Sequence, residues 1–513
     1  MNTKIELLKP VALLFLLSFV FVACSKQSQK KPNILFIFAD DQCYDAIHAL
    51  GINPEVKTPN LDRLVNQGVT FNNAYNMGAW NGAVCIASRA MLITGRSVWN
   101  AHPFDNTQAQ NDLKDKGELW PILMDQAGYD TYMTGKWHLK LDADSVFDHV
   151  VHERPGMPGD AFNKNFSGLS KQVREEYKKS GDASTLMPNG YNRPQSENDT
   201  NWLPWDKSKG GFWEGGKHWS EVVGDDAINF IEQAKNDTAP FFMYLAFNAP
   251  HDPRQSPKEF VDMFPLENIA VPKSFQSEYP YKDEIGCSPT LRDEALAPFP
   301  RTEYSVKVHR QEYYAIIAHM DQQIGRILDA LEASGKADNT YIFFTADHGL
   351  AVGNHGFMGK QSMYEHSMRA PLLVAGPGIK AGTKVNAPVY LQDIMASSLD
   401  LAGIEKPDYV NFNSLMPMAL GKTTQSAYPA IYGCYVTNQR MIRKDGFKLI
   451  MYPKANVVRL FDLSKDPLEL NDLAKQKAHQ QTLAKLLNDF LLLQKEYSDP
   501  LDISSLYSKY AQL

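Results

Sequence analysis

The sequence predicts a layered α/β protein with a mixed, mostly parallel central sheet, because short apolar runs alternate with helical patterns along most of the chain. A continuous apolar run is typical of a strand buried on both faces of a parallel sheet, and Asn33–Ala39 is the clearest example. Similar runs at 128–135, 241–247, 341–345 and 371–376 predict further strands.

The most regular helical pattern runs from about Glu303 to Ser334. Its apolar residues recur at helical spacing, and Gly335 is a typical residue to end a helix. The combination of this long helix with the apolar runs favours helices packed against a sheet.

The pattern changes after Gly403. Residues 430–436 and 440–452 predict antiparallel strands, the second segment folding back at Asp445-Gly446. A last helix is predicted over about 474–495. We therefore expect a catalytic α/β domain over 32–402 and a smaller α+β subdomain, an antiparallel sheet plus a helix, over 403–513.

Composition excludes several protein classes. Hydrophobic residues make up 43% of the 513 residues and charged residues 22%, which excludes collagen, coiled coil and wholesale disorder. The net charge is -7 and no basic stripe occurs, so we expect no nucleic-acid partner. The five cysteines lack close pairing or metal-type spacing, which argues against a disulfide scaffold.

The first residues are typical of a secretory signal. Met1–Ala23 carry lysines followed by an apolar run at Val11–Val22. As a helix this run rises about 18 Å, less than the roughly 30 Å hydrocarbon core, so a permanent membrane span is not expected. Ala23-Cys24 resembles a bacterial lipobox, in which Cys24 becomes the lipidated first residue.

That interpretation divides the N-terminus into a signal peptide over 1–23 and a lipidated tether over 24–31. It predicts an exported lipoprotein, periplasmic or on the cell surface, that contacts the membrane through Cys24. The alternative is a soluble secreted protein in which Cys24 has no role.

Cys85-Ile-Ala-Ser-Arg89 opens an apparent helix. A thiol at a helix start faces backbone N–H donors and the positive end of the helix dipole, which favour negative charge, and Arg89 lies one turn away. These residues predict an anion site with a nucleophile. The residues alone leave open a buried structural cysteine with Arg89 in a salt bridge.

Acidic residues follow two predicted strands. Asp40 and Asp41 stand where the first strand ends, so the chain can turn and both carboxylates can converge, although neighbours within a strand point apart. Asp347-His348 follows another strand in the same way, and α/β folds place ligands at such strand ends. Helix capping or turn formation is the alternative for either pair.

Three further segments carry candidate residues. Lys136 and His138 leave a third strand, His251 follows the strand at 241–247, and Lys360 follows a glycine. On their own, these side chains are typical of surface loops.

Together these segments resemble the formylglycine-dependent sulfatase family of the alkaline phosphatase superfamily. The family signature, Cys-x-Pro/Ala-Ser-Arg followed by Thr-Gly, is matched by Cys85, Ala87, Ser88, Arg89, Thr94 and Gly95. The resemblance extends from Pro32 to about Leu473 and implies an alkaline-phosphatase-like fold. It does not reach 141–220 or 252–300, where substrate preference is expected to lie.

The resemblance implies that a sulfatase-maturating enzyme oxidises Cys85 to formylglycine, whose hydrated form is a geminal diol. One hydroxyl attacks the sulfur of the sulfate ester. After the alcohol leaves, the second hydroxyl is deprotonated, the aldehyde reforms and sulfate is expelled. An unmodified thiol cannot complete this cycle.

The resemblance also implies roles for the remaining candidates. Asp40, Asp41, Asp347 and His348 would bind Ca²⁺ together with modified Cys85; oxygen ligands suit Ca²⁺ or Mg²⁺ better than zinc, and Ca²⁺ is the family's ion. Lys136 and Lys360 would bind sulfate oxygens with Arg89 neutralising charge, His138 would contact the diol, and His251 would protonate the departing alcohol.

We therefore expect a sulfuric ester hydrolase that acts on sulfated carbohydrates. The nearest alternative is a phosphodiesterase or phosphonate monoester hydrolase of the same superfamily. An alternative of another class is a non-catalytic lipoprotein that binds sulfated glycans. Trp202, Trp205, Trp213, Trp219 and His218 either contact sugar rings or anchor loops onto the body of the protein.

Overall fold

The computed structural model of the protein describes residues 30–158, 175–176, 179–180, 193–200 and 202–511. The predicted signal peptide over 1–23 and the lipidated Cys24 lie outside the described residues. From Pro32 onward the chain forms one compact unit. Within the described residues, no helix combines the length and apolar composition that a membrane crossing requires.

Strands occur along the whole unit. They are β1 Asn33–Ala39, β2 Val69–Phe71, β3 Ala74–Tyr75, β4 Gly78–Ala79, β5 Asp130–Lys136, β6 His149–Arg154, β7 Trp213–Glu214, β8 Lys217–His218, β9 Phe241–Ala246, β10 Thr340–Ala346, β11 Leu372–Ala375, β12 Thr383–Val385, β13 Val389–Tyr390, β14 Ile431–Tyr435, β15 Gln439–Lys444, β16 Phe447–Tyr452 and β17 Val457–Asp462.

Helices alternate with these strands. They are α1 Pro59–Gln67, α2 Val84–Thr94, α3 Val98–Ala101, α4 Thr107–Asp115, α5 Trp120–Gln126, α6 Trp219–Ala234, α7 Lys258–Val261, α8 Arg292–Ala295, α9 Glu303–Ala333, α10 Glu365–Met368, α11 Asp393–Ala402, α12 Met416–Ala419, α13 Gln480–Glu496 and α14 Ser504–Tyr510.

Eight strands form the central sheet in the order β12-β2-β11-β10-β1-β9-β5-β6. The strands from β10 to β6 run parallel to their neighbours, whereas β11 is antiparallel to both β10 and β2. Every residue of β1 and β9 is buried, as their apolar sequences predict. The predicted mixed, mostly parallel α/β fold is confirmed.

Helices cover both faces of the sheet. Trp120 of α5 packs on Phe36 and Tyr244 on one face, while Phe230 of α6 packs on Tyr132 on the other. The long helix α9 lies beside α6 and α1. It begins at Thr302, whose side chain accepts the Ser305 N–H, and ends before Gly335, which has a φ of 72°.

The C-terminal subdomain contains a second sheet in the order β17-β16-β15-β14-β4, antiparallel from β14 to β17. The short strand β4, from the N-terminal part of the chain, completes its edge next to α2. The last long helix, α13, starts at Gln480, later than predicted. The Asp472 carboxylate accepts the backbone N–H groups of Leu460 and Ala474, which holds this preceding segment against β17.

Candidate active site

The two aspartates that follow β1 point to the same place because the backbone turns between them. Asp41 has a φ of 70°, a left-handed conformation that is uncommon outside glycine. This turn removes the alternation that sends neighbouring strand side chains to opposite faces. The Asp41 backbone N–H donates to Oδ1 of Asp347 at 3.1 Å, which ties the end of β1 to the end of β10.

His348 presents one ring nitrogen to these carboxylates. Its Nδ1 lies 2.9 Å from the Gly349 carbonyl, so Nδ1 carries the proton and Nε2 keeps its lone pair. Nε2 lies 3.5 Å from Oδ1 of Asp41 and 3.6 Å from Oδ1 of Asp347. Burial lowers the pKa of His348, which keeps the ring neutral and able to bind a metal.

Cys85 is the second residue of α2 and is fully enclosed by these groups. Its Sγ lies 3.2 Å from Nε2 of His348 and 3.9 Å from Oδ1 of Asp41. Burial, and next the carboxylate of Asp40, raise the pKa of the thiol well above its usual value. The predicted stabilisation of negative charge by the helix start is therefore outweighed, and the thiol is a poor nucleophile here.

Arg89 lies beneath the carboxylates. Its side chain is completely buried, donates to the Lys136 carbonyl at 2.6 Å and lies 3.4 Å from Oδ2 of Asp347. It also stacks on the Phe38 ring at 4.6 Å. Among the described residues, Arg89 does not line the cavity over Cys85. Its contacts are with the carboxylates below the cavity, which it supports.

The end of β5 places Lys136 against the carboxylates and His138 in the wall of the cavity. The Lys136 ammonium is buried and forms an ion pair with Oδ2 of Asp40. His138 has a φ of 60° and lines the cavity, with its Nδ1 unpartnered. Burial, and next the positive charge of Lys136, lower the pKa of His138 well below its usual value, so its ring is neutral.

Lys360 and His251 approach Cys85 from the cavity side. The Lys360 Nζ lies 2.8 Å from Oδ1 of Asp41 and 3.3 Å from the Cys85 Sγ. Burial lowers the pKa of Lys360, but the charges of Asp41, Cys85 and Asp293 together outweigh burial and raise it well above its usual value. His251 donates from Nδ1 to the Asp252 carbonyl, so its Nε2, 3.8 Å from Oδ2 of Asp41, is the nitrogen that faces the site.

A cavity of about 310 Å³ opens over this cluster. The predicted residues that line it are Cys85, His138, His251 and Lys360. Its outer part is formed by residues at 82–83, 156–157, 291–293 and 361. Gly156 leaves room for the His138 ring in that wall, because a Cβ there would lie 2.5 Å from Cε1 of His138.

The buried donors fit a hard divalent cation. Ligand atoms of Asp40, Asp41, Cys85, Asp347 and His348 all lie within 4.8 Å of one another, which is the set predicted from the sequence. Oδ1 of Asp40 is buried without a hydrogen-bond partner. Burial, and next the charge of Asp347, raise the pKa of Asp40 well above its usual value, so a cation here would relieve repulsion between carboxylates.

The sequence did not identify the charged residues at the outer end of the cavity. Arg292 lies between Asp252 and Asp293, and Gln361 links Asp293 to the backbone N–H of Lys360. Arg292, Asp293 and Asp252 come from the irregular 252–300 segment. The adjacency of Asp252 to His251 was the signal available in the sequence.

Trp202, Trp219 and His218 of the tryptophan-rich segment pack against the body of the protein. Trp202 donates to Glu312 and stacks against Arg193, and Trp219 is buried at the start of α6. His218 is buried against His319. Within the described residues, none of these aromatic side chains lines the cavity over Cys85.

Comparison with known proteins identifies this arrangement. The sulfatase family model matches residues 32–404, most of the chain. The chain belongs to the sulfatase family. A second model, the N-sulphoglucosamine sulphohydrolase C-terminal region, matches residues 353–496 of this sulfatase.

Related sulfatases match over nearly the whole length. An N-acetylglucosamine-6-O-sulfatase of Bacteroides thetaiotaomicron is 28% identical over 92% of this chain and 88% of the relative. An arylsulfatase of Clostridium perfringens is 29% identical over 88% of this chain and 92% of the relative. This sulfatase is therefore an enzyme that hydrolyses sulfate esters.

Solved structures share the fold. A protein in complex with its substrate D-glucosamine-2-N,6-O-disulfate matches with a TM-score of 0.67 and 25% identity, covering 92% of this chain and 99% of that chain. The phosphonate monoester hydrolase of Agrobacterium radiobacter also matches with a TM-score of 0.67, at 21% identity over 91% of this chain and 96% of that chain. The likeness to the hydrolase extends to the fold alone.

Proposed function

We propose that this sulfatase removes sulfate from sulfated carbohydrates, using a formylglycine formed from Cys85 and a bound Ca²⁺. The observation that carries the proposal is the convergence of five metal-ligand candidates, including Cys85, at the floor of one cavity. The names of two relatives, an N-acetylglucosamine-6-O-sulfatase and a protein bound to a glucosamine disulfate, support a sugar as the leaving group.

The raised pKa of Cys85 supports the need for modification. An enclosed thiol beside carboxylates stays protonated, whereas a hydrated formylglycine supplies two hydroxyl groups at the same position. Production of the active protein then requires a maturating enzyme that oxidises Cys85.

The charges of the site support a role for a divalent cation. Asp40, Asp41 and Asp347 are carboxylates, and they are balanced here by the buried cations of Arg89, Lys136 and Lys360. A divalent cation held by Asp40, Asp41, Asp347 and His348 with modified Cys85 would add positive charge for the sulfate ester and act as a Lewis acid. The oxygen-rich donor set favours Ca²⁺ over softer metals.

Three side chains that line the cavity are assigned to sulfate binding and proton transfer. Lys360, which lines the cavity and contacts Asp41 and Cys85, binds a sulfate oxygen. His138, a neutral ring on the cavity wall, accepts a proton from the modified Cys85. Burial lowers the pKa of His251 well below its usual value, so its Nε2, which faces the cavity, must take up a proton before it can donate one to the departing alcohol oxygen.

Arg89 and Lys136 act from below the cavity. Arg89 holds the Lys136 carbonyl and Asp347, and Lys136 pairs with Asp40. We assign these two cations to the electrostatic support of the metal carboxylates; the Lys136 ammonium would have to leave Asp40 to contact a sulfate oxygen.

We also propose that the enzyme is an exported lipoprotein anchored through Cys24. The apolar run at Val11–Val22 and the Ala23-Cys24 pair carry this proposal. Membrane fractions of cells that express the protein or its Cys24→Ser variant test it. Release of the wild-type protein into the soluble exported fraction would contradict the anchor.

Sulfate release from a panel of sulfated saccharides tests the proposed function. Protein made in cells that mature sulfatases is incubated with defined monosulfated hexoses and hexosamines, with p-nitrophenyl sulfate and with matched phosphate esters and diesters, and the released anions are measured by ion chromatography. We expect sulfate from at least one saccharide. Phosphate release without sulfate release would favour the phosphodiesterase alternative, and binding without any turnover would favour a glycan-binding lipoprotein.

A further inference from the structure

Side chains hold the backbone at Lys360, where the chain is neither helix nor strand. The Glu294 carboxylate accepts the backbone N–H groups of Met358 and Gly359, each at 3.1 Å. The next backbone N–H, that of Lys360, is accepted by Oε1 of Gln361 at 3.0 Å. These contacts replace the hydrogen bonds that a helix or a sheet would supply to a buried backbone.

The carboxamide of Gln361 also contacts the loop that leads to Cys85. Its Nε2 donates to the Gly82 carbonyl at 3.2 Å and to Oδ2 of Asp293 at 2.7 Å. Gly82 lies just before α2, and Cys85 is the second residue of that helix. One side chain therefore joins the backbone at Lys360 to the start of the helix that carries Cys85.

The three hydrogen bonds define the orientation of this amide. Its oxygen faces an N–H group and its nitrogen faces two oxygen acceptors, whereas the reversed orientation would set like groups against each other in every contact. Both hydrogens of the amide nitrogen are in use, so Gln361 has no amide donor left for a ligand. Although it lines the cavity, its contacts are those of a side chain that holds its neighbours.

The Gln361 residue is itself anchored. Its backbone carbonyl accepts Nε2 of Gln439 at 2.7 Å and the Cys287 thiol at 3.1 Å. Gln439 opens β15, so the C-terminal sheet supports Gln361 from behind. Gly359 leaves room for the carboxamide, because a Cβ there would lie 2.5 Å from Oε1 of Gln361.

The placement of the backbone matters for the Lys360 ammonium. A lysine side chain is a flexible stem with a point charge, so its position depends on where the backbone is held and on the contacts at its end. Here Nζ lies 2.8 Å from Oδ1 of Asp41 and 3.3 Å from the Cys85 Sγ. A displacement of about 1 Å in such a group can lower a reaction rate about 10²-fold.

We propose that Gln361 is a positioning residue, whose carboxamide keeps the Lys360 ammonium beside position 85 by joining the Lys360 backbone to the loop before α2. Gln361 contributes to turnover through Lys360 and has no separate contact with the reacting atoms. This inference rests on the proposed function, which assigns the binding of a sulfate oxygen to Lys360.

A double-mutant cycle separates this role from a general structural one. The kcat/KM for the sulfate ester that wild type hydrolyses fastest, and the inhibition constant of inorganic sulfate, are measured for wild type, Gln361→Ala, Lys360→Ala and the double variant. Rates are normalised to the fraction of molecules modified at position 85. The control Gln110→Ala, alone and with Lys360→Ala, removes another buried carboxamide, which bridges the Phe104 carbonyl and the Leu141 N–H.

We expect Gln361→Ala to lower kcat/KM about 10- to 100-fold when Lys360 is present. When Lys360 is absent, the same substitution is expected to cost less than about threefold, because the residue through which it acts is gone. The inhibition constant of sulfate should rise in the same non-additive way. Gln110→Ala should change kcat/KM less than about threefold in either background. Gln361→Met, which keeps the volume and lacks the hydrogen bonds, replaces Gln361→Ala if that variant does not fold.

Other outcomes would overturn the inference. Equal losses from Gln361→Ala with and without Lys360 would show that the two residues act independently. Wild-type kcat/KM in folded Gln361→Ala or Gln361→Met would show that the carboxamide is not needed. Wild-type kcat/KM in Lys360→Ala would refute the proposed role of Lys360 and this inference with it. Wild type that hydrolyses aryl sulfates but no sulfated saccharide would count against the proposed substrate alone, since the cycle needs any one sulfate ester.

Discussion

Nε2 of His348 lies 3.2 Å from the Sγ of Cys85, so Cys85 and a metal-ligand candidate lie side by side on the buried floor of the cavity. The other ring nitrogen of His348 donates to the Gly349 carbonyl, which fixes the ring in this orientation. The reaction at position 85 is therefore expected to depend on the metal-binding side chains around it. Metal binding is in turn expected to depend on the side chain at position 85.

The substitution Cys85→Ala is expected to abolish sulfate ester hydrolysis while the protein stays folded. Without the thiol, Cβ of residue 85 cannot be oxidised to the aldehyde, and loss of the thiol leaves the carboxylate and lysine pairs in place. Activity on p-nitrophenyl sulfate and the thermal unfolding midpoint check this. Cys434→Ala, which removes a buried thiol in the C-terminal sheet, is the control and should retain turnover. Sulfate ester hydrolysis by Cys85→Ala at the wild-type rate would contradict the assignment of Cys85 as the nucleophile position.

His251→Ala is expected to slow hydrolysis of sulfated saccharides far more than hydrolysis of activated aryl sulfates. A sugar alkoxide is a poor leaving group and needs a proton, a contribution of about 10²- to 10⁴-fold, whereas p-nitrophenolate leaves without one. Steady-state rates on both substrates check this. His149→Ala, on the exposed edge strand β6, is the control and should change neither rate. Equal losses on both substrates would refute the role of His251.

Calcium is expected to stabilise the folded protein through the carboxylates that end β1 and β10. A ligand that binds the folded state alone adds about 2.7 kcal/mol to the free energy of unfolding at 100 times its Kd. Chelator-treated protein is unfolded in denaturant with and without Ca²⁺ or Mg²⁺. Asp347→Asn should lose most of the stabilisation, and the control Asp489→Asn, on the C-terminal helix α13, should keep it. An equal response in Asp347→Asn and wild type would contradict this site.

Asp393 is expected to make the protein less stable as pH rises toward neutrality. Burial raises the pKa of Asp393 from 3.8 to about 7, so the folded protein binds a proton that the unfolded chain releases. The contribution of Asp393 to the free energy of unfolding is complete below pH 3.8. It is lost as pH rises to about 7, at no more than about 1.4 kcal/mol per pH unit.

Denaturant unfolding of wild type and Asp393→Asn across this range measures the effect. The difference in free energy of unfolding between the two proteins should decline as pH rises. Ser398→Ala, on the same helix and without a titratable side chain, should differ from wild type by a constant amount. A flat difference for Asp393→Asn would show that its carboxyl group is ionised throughout.

Features that depend on local pattern could be predicted from the sequence. The apolar run at Asn33–Ala39 is the central strand because its composition requires burial on both faces. The helix from Glu303 to Ala333 follows its periodicity and its end signal at Gly335. Asp40 and Asp347 could be grouped because carboxyl ends of neighbouring parallel strands meet at one edge of a sheet.

Features that depend on the three-dimensional environment could not be predicted. The edge strand His149–Arg154 is mostly exposed and polar, so it lacks an apolar signal. The direction of the Cys85 pKa shift follows from burial beside Asp40, which outweighs the helix start. Arg292 joins the cavity through its contact with Asp252, which only the folded chain brings to it.

The most direct test of the account is the mass of the peptide that contains Cys85, isolated from active protein made in cells that mature sulfatases. We predict an aldehyde at position 85 that reacts with a hydrazide probe, in a fraction of molecules that rises with specific activity toward sulfate esters. A fully active preparation in which every copy of this peptide retains the thiol would contradict the account.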